Sequence, residues 1–177
     1  MQNIPKNLIF SIILILVCVS RLIPHPYNFS PIGSIFLMSP IIFSNKKWAL
    51  FISIIPLFIS DILIGKLIYN SKDIIYEGFI WVYFSYFLIW LYSTLNNQSQ
   101  NVLVKSVIGS LIFFFVTNAA CWYGNTMYQQ NIFGLIESFV FGIPFYWNTV
   151  AGFVFYSLLI NFIVNYIDRK IYDTKIA

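Results

Sequence analysis

Two opposite charges lie where charges are costly. Arg21 and Asp61 sit inside long apolar stretches, each thirteen residues past the start of its stretch at Leu8 or Trp48. At 1.5 Å rise per residue both come ~20 Å along a helix. An ionisable group at membrane depth costs at least ~2.5 kcal/mol on insertion scales, so it faces a partner or a wet cavity. Their common depth predicts that the two side chains meet, either as a structural ion pair or as part of a binding site. Other polar residues gather at the same end. Asn118 lies sixteen residues past Val102, ~24 Å along by the same rise, and Asn28 and Asn148 stand where stretches running the opposite way begin.

His25 is the single histidine and stands in Pro24-His-Pro-Tyr-Asn-Phe-Ser-Pro31, a loop stiffened by the fixed φ of proline. A stiff loop can hold an imidazole against a ligand. With no carboxylate or thiol beside it in sequence, it is a weak metal signal, and Cys121 inside an apolar run is expected to be inert rather than a soft metal ligand. No metal and no cofactor are therefore expected. The segment from Tyr123 to Trp147 carries aromatics, amides and one carboxylate, Glu137, amid Leu135, Phe139 and Phe141. It is read as a cover over the shared polar end, with Trp122, Tyr128 and Glu137 facing the cavity beneath; the plainer reading of its aromatics is an interfacial belt. The sequence has no phosphate loop, no HExxH, no Asp-rich prenyl-diphosphate motif and no paired carboxylates. Intrinsic ATP hydrolysis and the familiar intramembrane enzyme chemistries thus lack their residues.

These residues must be positioned by elements that live in lipid. Of 177 residues, 59% are hydrophobic and only 9% charged, against about 25% charged in soluble domains. Apolar stretches run Leu8–Ile23, Pro31–Phe43, Trp48–Gly65, Gly78–Leu95, Val102–Trp122 and Asn148–Ile167. The fold class expected is all-α, a polytopic bundle of six transmembrane helices forming a single domain over 1–177. The second stretch is short, ~20 Å at 1.5 Å per residue, although Ser30 followed by Pro31 favours a helix start. Phe133–Pro144 is too short to cross and is read as a separate interfacial or re-entrant helix on the outer side before the last span. Lys6 before the first run imitates a signal peptide, but no small-residue cleavage site follows.

Charge asymmetry orients the bundle. With the N-terminus inside, Lys6, Lys46, Lys47, Lys105, Arg169, Lys170 and Lys175 face the cytoplasm, and only Arg21, Lys66 and Lys72 lie outward. Both termini are therefore expected in the cytoplasm and the polar end outside. The net charge of +4 comes from segment ends, which speaks to orientation and not to nucleic acid. Small residues Ser106, Gly109 and Ser110 in the fifth stretch, and Ala151 and Gly152 in the sixth, suit helix contacts. No internal repeat is visible.

Four segments carry a resemblance. They are Arg21-Leu-Ile-Pro-His-Pro-Tyr-Asn-Phe-Ser-Pro-Ile-Gly33, Phe58-Ile-Ser-Asp-Ile-Leu-Ile-Gly65, Phe115-Val-Thr-Asn-Ala-Ala-Cys-Trp122 and Ile143-Pro-Phe-Tyr-Trp-Asn-Thr-Val-Ala-Gly152. From Arg21 to the last span the chain resembles a domain-of-unknown-function family of small bacterial proteins of transport type. That family is in turn similar to the S components, the substrate-binding membrane subunits of energy-coupling-factor vitamin transporters. The resemblance implies six helices in the bacterial cytoplasmic membrane, an extracytoplasmic substrate pocket under mobile loops, and an energising ATPase module as partner. S components dock on that module through small residues four apart in the first helix, and Leu8–Ile23 departs from this pattern.

The expected function is a small-molecule binding subunit or transporter, with Arg21, His25, Asn28, Asp61, Asn118, Trp122, Tyr128, Glu137 and Asn148 around the substrate and lipid as the other partner. A non-catalytic assembly protein is the alternative, in which every polar residue is structural. A membrane enzyme is a third, with His25, Asp61 and Glu137 as the available acid and base groups.

Overall fold

The computed structural model describes residues 6–70, 75–96, 101–124 and 126–176. Among them the chain forms six α-helices: α1 (Lys6–Val19), α2 (Ile32–Ile42), α3 (Lys46–Leu67), α4 (Phe79–Leu95), α5 (Val102–Gly124) and α6 (Ile132–Ile176), with a 3-10 turn Ser20–Leu22 extending α1. Asparagines start three of them. Asn45 Oδ1 accepts the Trp48 N–H at 3.1 Å, Asn101 Oδ1 accepts that of Leu103 at 3.0 Å, and Asn131 Oδ1 accepts that of Gly134 at 2.9 Å. Each satisfies an amide that the first helical turn leaves without a partner. At α2 the Ser30 hydroxyl accepts from Ile32 at 3.4 Å, so the helix begins one residue after the proline expected to open it.

Helix α2 is the centre of the bundle. Nine consecutive residues, Ile32 to Pro40, are buried, and α2 packs on every other helix. An element wholly enclosed by protein need not match the ~30 Å thickness of a hydrocarbon core. Serine hydroxyls cross between helices around it. Ser34 donates to the Phe153 carbonyl at 2.9 Å, Ser53 to Ser39 at 2.8 Å and Ser93 to the Leu37 carbonyl at 2.6 Å. Without a hydrophobic force between helices in lipid, such bonds and close packing supply the association. Lys46 closes the end of α2 by donating to the carbonyls of Pro40 at 2.6 Å and Phe43 at 3.3 Å.

The outward faces are apolar. Leu16, Ile59, Phe141 and Phe162 are all more than half exposed, with many similar residues around the bundle. A water-soluble monomer rarely presents so continuous an apolar surface. Helices Lys46–Leu67, Val102–Tyr123 and Ile132–Arg169 are long and apolar enough to cross a membrane, while α2, α4 and Phe10–Leu22 are shorter apolar helices.

The expectation of a short separate helix at Phe133–Pro144 is overturned. Helix α6 runs without interruption through Pro144 for 45 residues. A proline removes one backbone bond but need not end a helix that tertiary contacts hold on both sides. Here α5 supplies those contacts: Asn118 lies against Gly142 and the Phe114 ring against Tyr146, centroids 4.9 Å apart. Lys72, expected on the outer side, lies outside the described residues.

Candidate functional site

At the end of the bundle where α1 and α3 finish and α2 begins lies a cavity of about 720 Å³. Its walls come from the 21–30 segment, the last turns of α3 with Ile68 and Tyr69, Tyr76 of the α3–α4 connection, and single faces of α4, α5 and α6. A volume of this size suits a small ligand.

Arg21 and Asp61 form its charged wall. The Arg21 Nη1 group donates to the Asp61 carboxylate and to Ser60 Oγ, the latter at 2.8 Å. Asp61 Oδ2 accepts from the Tyr83 hydroxyl at 2.9 Å, and Tyr76 stands close to the same carboxylate. Partial burial, reinforced by that carboxylate, pushes the Tyr76 phenol above its ordinary range, so it stays a proton donor. An ionised carboxylate has about four acceptor sites. Here Arg21 bonds one oxygen and Tyr83 the other, which is how a carboxylate only 3% exposed is tolerated.

The floor is aromatic. Phe36 stacks on Tyr86 and Tyr86 on Phe113, both with centroids 5.2 Å apart. The Phe153 ring lies so close to α2 that a Cβ at Gly33 would fall on it, and a Cβ at Gly109 would stand 3.0 Å from its edge. Both glycines let the ring enter between α2 and α5. Around the rim, His25 is exposed with Nδ1 2.9 Å from the Pro26 carbonyl, and Asn28 takes a left-handed φ of 64° that turns the chain toward α2. That conformation is one asparagine tolerates.

Of the residues expected around a substrate, Arg21, His25, Asn28 and Asp61 line this cavity. Asn118, Trp122, Tyr128, Glu137 and Asn148 do not. Asn118 faces Gly142 in the α5–α6 seam and returns its amide to the Phe114 carbonyl at 2.8 Å. Trp122 donates to Gln129 at 2.9 Å and receives Gln130 at 2.7 Å, closing the tip of the α5–α6 hairpin on itself. Tyr128 belongs to that tip, its carbonyl accepting from Gln130 at 3.3 Å, and Glu137 is exposed on α6 among Phe133, Ile136 and Val140. Thr149 takes the lining position expected for Asn148, because one residue along a helix turns a side chain by about 100°. Residues 123 to 147, expected to cover the cavity, are not among its lining residues, whereas Tyr69 and Tyr76 of the α3–α4 connection are.

Tyr76, Tyr83, Tyr86 and Ser60 were not among the expected site residues. A signal for them exists in the sequence: a membrane carboxylate with a single arginine leaves lone pairs open, and buried tyrosines need hydroxyl partners. Among the described residues no group of three His, Cys, Asp or Glu could hold a metal ion. Cys18 is buried and Cys121 exposed, both as free thiols.

No curated protein and no solved structure matches the chain. A family described as of unknown function, DUF6580, matches residues 1–174. The motif-bearing stretches from Arg21 to Gly152, including both partners of the ion pair, lie within that match, and the chain belongs to this family.

Proposed function

We propose that the protein is a small-molecule binding subunit or transporter of the bacterial cytoplasmic membrane, with its pocket on the extracytoplasmic side. The carrying observation is the cavity of about 720 Å³ that an Arg21–Asp61 pair walls and five separate helices enclose. In this reading all six helices cross, the lysine-rich end with Lys46 and Lys105 faces the cytoplasm together with both termini, and the cavity opens outward. The motif likeness to S components supports the same orientation. An energising ATPase module is the partner that likeness suggests, although α1 lacks the small-residue spacing for docking.

Binding fits the site better than catalysis. Asp61 is held by Arg21 and Tyr83, which leaves it poorly placed to take a proton from a substrate. His25 stands at the rim, and Glu137 is away from the cavity.

Gly65 provides a test. It lines the cavity, and a Cβ there would meet nothing within 4 Å, so a side chain added at this position starts in open space and Gly65→Phe is the variant chosen to fill the cavity. Native mass spectrometry of detergent-extracted protein is expected to find a bound small molecule in the wild type and none in Gly65→Phe, with thermal stability kept. Retention of the molecule by the filled variant, or its absence from both, refutes a binding role for this cavity. Cysteines introduced at His25 and Lys46 should label from opposite sides of the membrane; labelling from one side removes the six-crossing topology.

A further inference from the structure

Resting on the reading of this cavity as a binding site, we infer that its ligand is an uncharged, mostly apolar small molecule whose carbonyl-type acceptor is held by Tyr86 and Arg21. The charges in the walls decide the first part. Arg21 and Asp61 are the only Lys, Arg, Asp or Glu side chains that line the cavity among the described residues, and they neutralise each other. A ligand bearing net charge would find no free Lys, Arg, Asp or Glu among the described lining residues, or would have to break the pair; either is costly in a partly buried site. A neutral ligand meets neither cost. The remaining surface, including Ile64, Val82, Phe113 and Phe153, favours an apolar body.

The acceptor follows from hydrogen-bond donors left over. Tyr86 lines the cavity at only 6% exposure, and no described residue bonds its hydroxyl. Its ring is clamped between Phe36 and Phe113, so the hydroxyl is fixed before anything binds. Arg21 uses Nη1 for Asp61 and Ser60, and its Nε and Nη2 donors bond no described side chain. Two donor sets therefore remain in one cavity, with each oxygen of the nearby carboxylate already bonded. Donors fixed in a cavity discriminate against molecules that cannot replace the water bonded to them. Amides, lactams and related carbonyl compounds satisfy them without bringing charge.

A fragment library divided equally among neutral amides and lactams, carboxylates, and amines is the probe, screened by thermal shift and affinity-selection mass spectrometry against full-length protein in detergent. Neutral carbonyl fragments are expected to dominate, and Tyr86→Phe, which keeps the ring stack, should weaken them about tenfold, the loss of one good hydrogen bond. Loss of these fragments in Gly65→Phe locates them in the cavity. Dominance of carboxylates or amines overturns the charge assignment and leaves the carrier reading standing. Neutral hits with unchanged affinity for Tyr86→Phe overturn the anchoring role. A library with no cavity-dependent hits in any class sinks the carrier reading itself, and this inference with it.

Discussion

Two polar regions stand near the same end of the bundle and solve the same problem in different ways. Around Arg21 and Asp61, polar groups are satisfied by residues far away in sequence: Arg21 reaches Ser60 and Asp61 on α3, and Asp61 reaches Tyr83 on α4. Around Asn118 and Trp122 they are satisfied locally, by a carbonyl one helical turn back or by the few residues of the hairpin tip. Local bonding consumes polar groups within their own element and encloses nothing. Long-range bonding ties three elements together at one depth, and the space between them becomes the cavity. Polar residues at matching depth are thus a necessary sign of a site and not a sufficient one.

The comparison is broken most severely by removing one charge. Asp61→Ala strands Arg21 and should cost about 3 kcal/mol or more, whereas Arg21→Met combined with Asp61→Leu should cost much less. Thermal unfolding in detergent measures both, and equal losses would mean that the long-range pair is not what holds this corner. Gly33→Ala comes next, since its methyl would fall on the Phe153 ring and overpacking costs about 1–3 kcal/mol. Adding Phe153→Leu should recover part of that loss in a double-mutant cycle; independent, additive losses would contradict the close approach of ring to backbone. Tyr83→Phe removes one bond to an ionised carboxylate and should cost about 1.5 kcal/mol by the same melts. At the hairpin, Asn118→Ala should lower stability by about 1 kcal/mol while ligand retention is unchanged. Smallest of all, Glu137→Gln should stay within about 0.5 kcal/mol and leave binding untouched. Loss of ligand in either hairpin variant would return that region to the binding site.

The membrane-compatible helices were legible because lipid imposes a simple rule, apolar runs interrupted by polar punctuation, which survives in the sequence whatever the packing. The contact between Arg21 and Asp61 was legible for a related reason: a buried charge demands a partner, and equal distance from the starts of α1 and α3 left few candidates. Helix rotation is not encoded so directly. Whether Asn148 or Thr149 faces the cavity depends on about 100° of rotation about α6, which is set by Phe153 entering between Gly33 and Gly109.

Other features were decided by contacts between distant segments. Pro144 reads locally as a helix boundary, and α6 continues through it because α5 packs on both sides. Tyr69 and Tyr76 line the cavity in place of the α5–α6 segment, a choice that depends on packing and leaves no periodic trace in sequence. By itself the sequence determined an all-helical, lipid-compatible chain with a costly charge pair at one depth, since those follow from solvation of single residues. Only the tertiary structure decided which side of each helix meets that pair, and therefore that Ser60, Tyr76, Tyr83 and Tyr86 surround the charge pair while Asn118, Trp122, Tyr128 and Glu137 are spent elsewhere. Rotation and lean are fixed by packing many side chains at once, which no single stretch of sequence can specify.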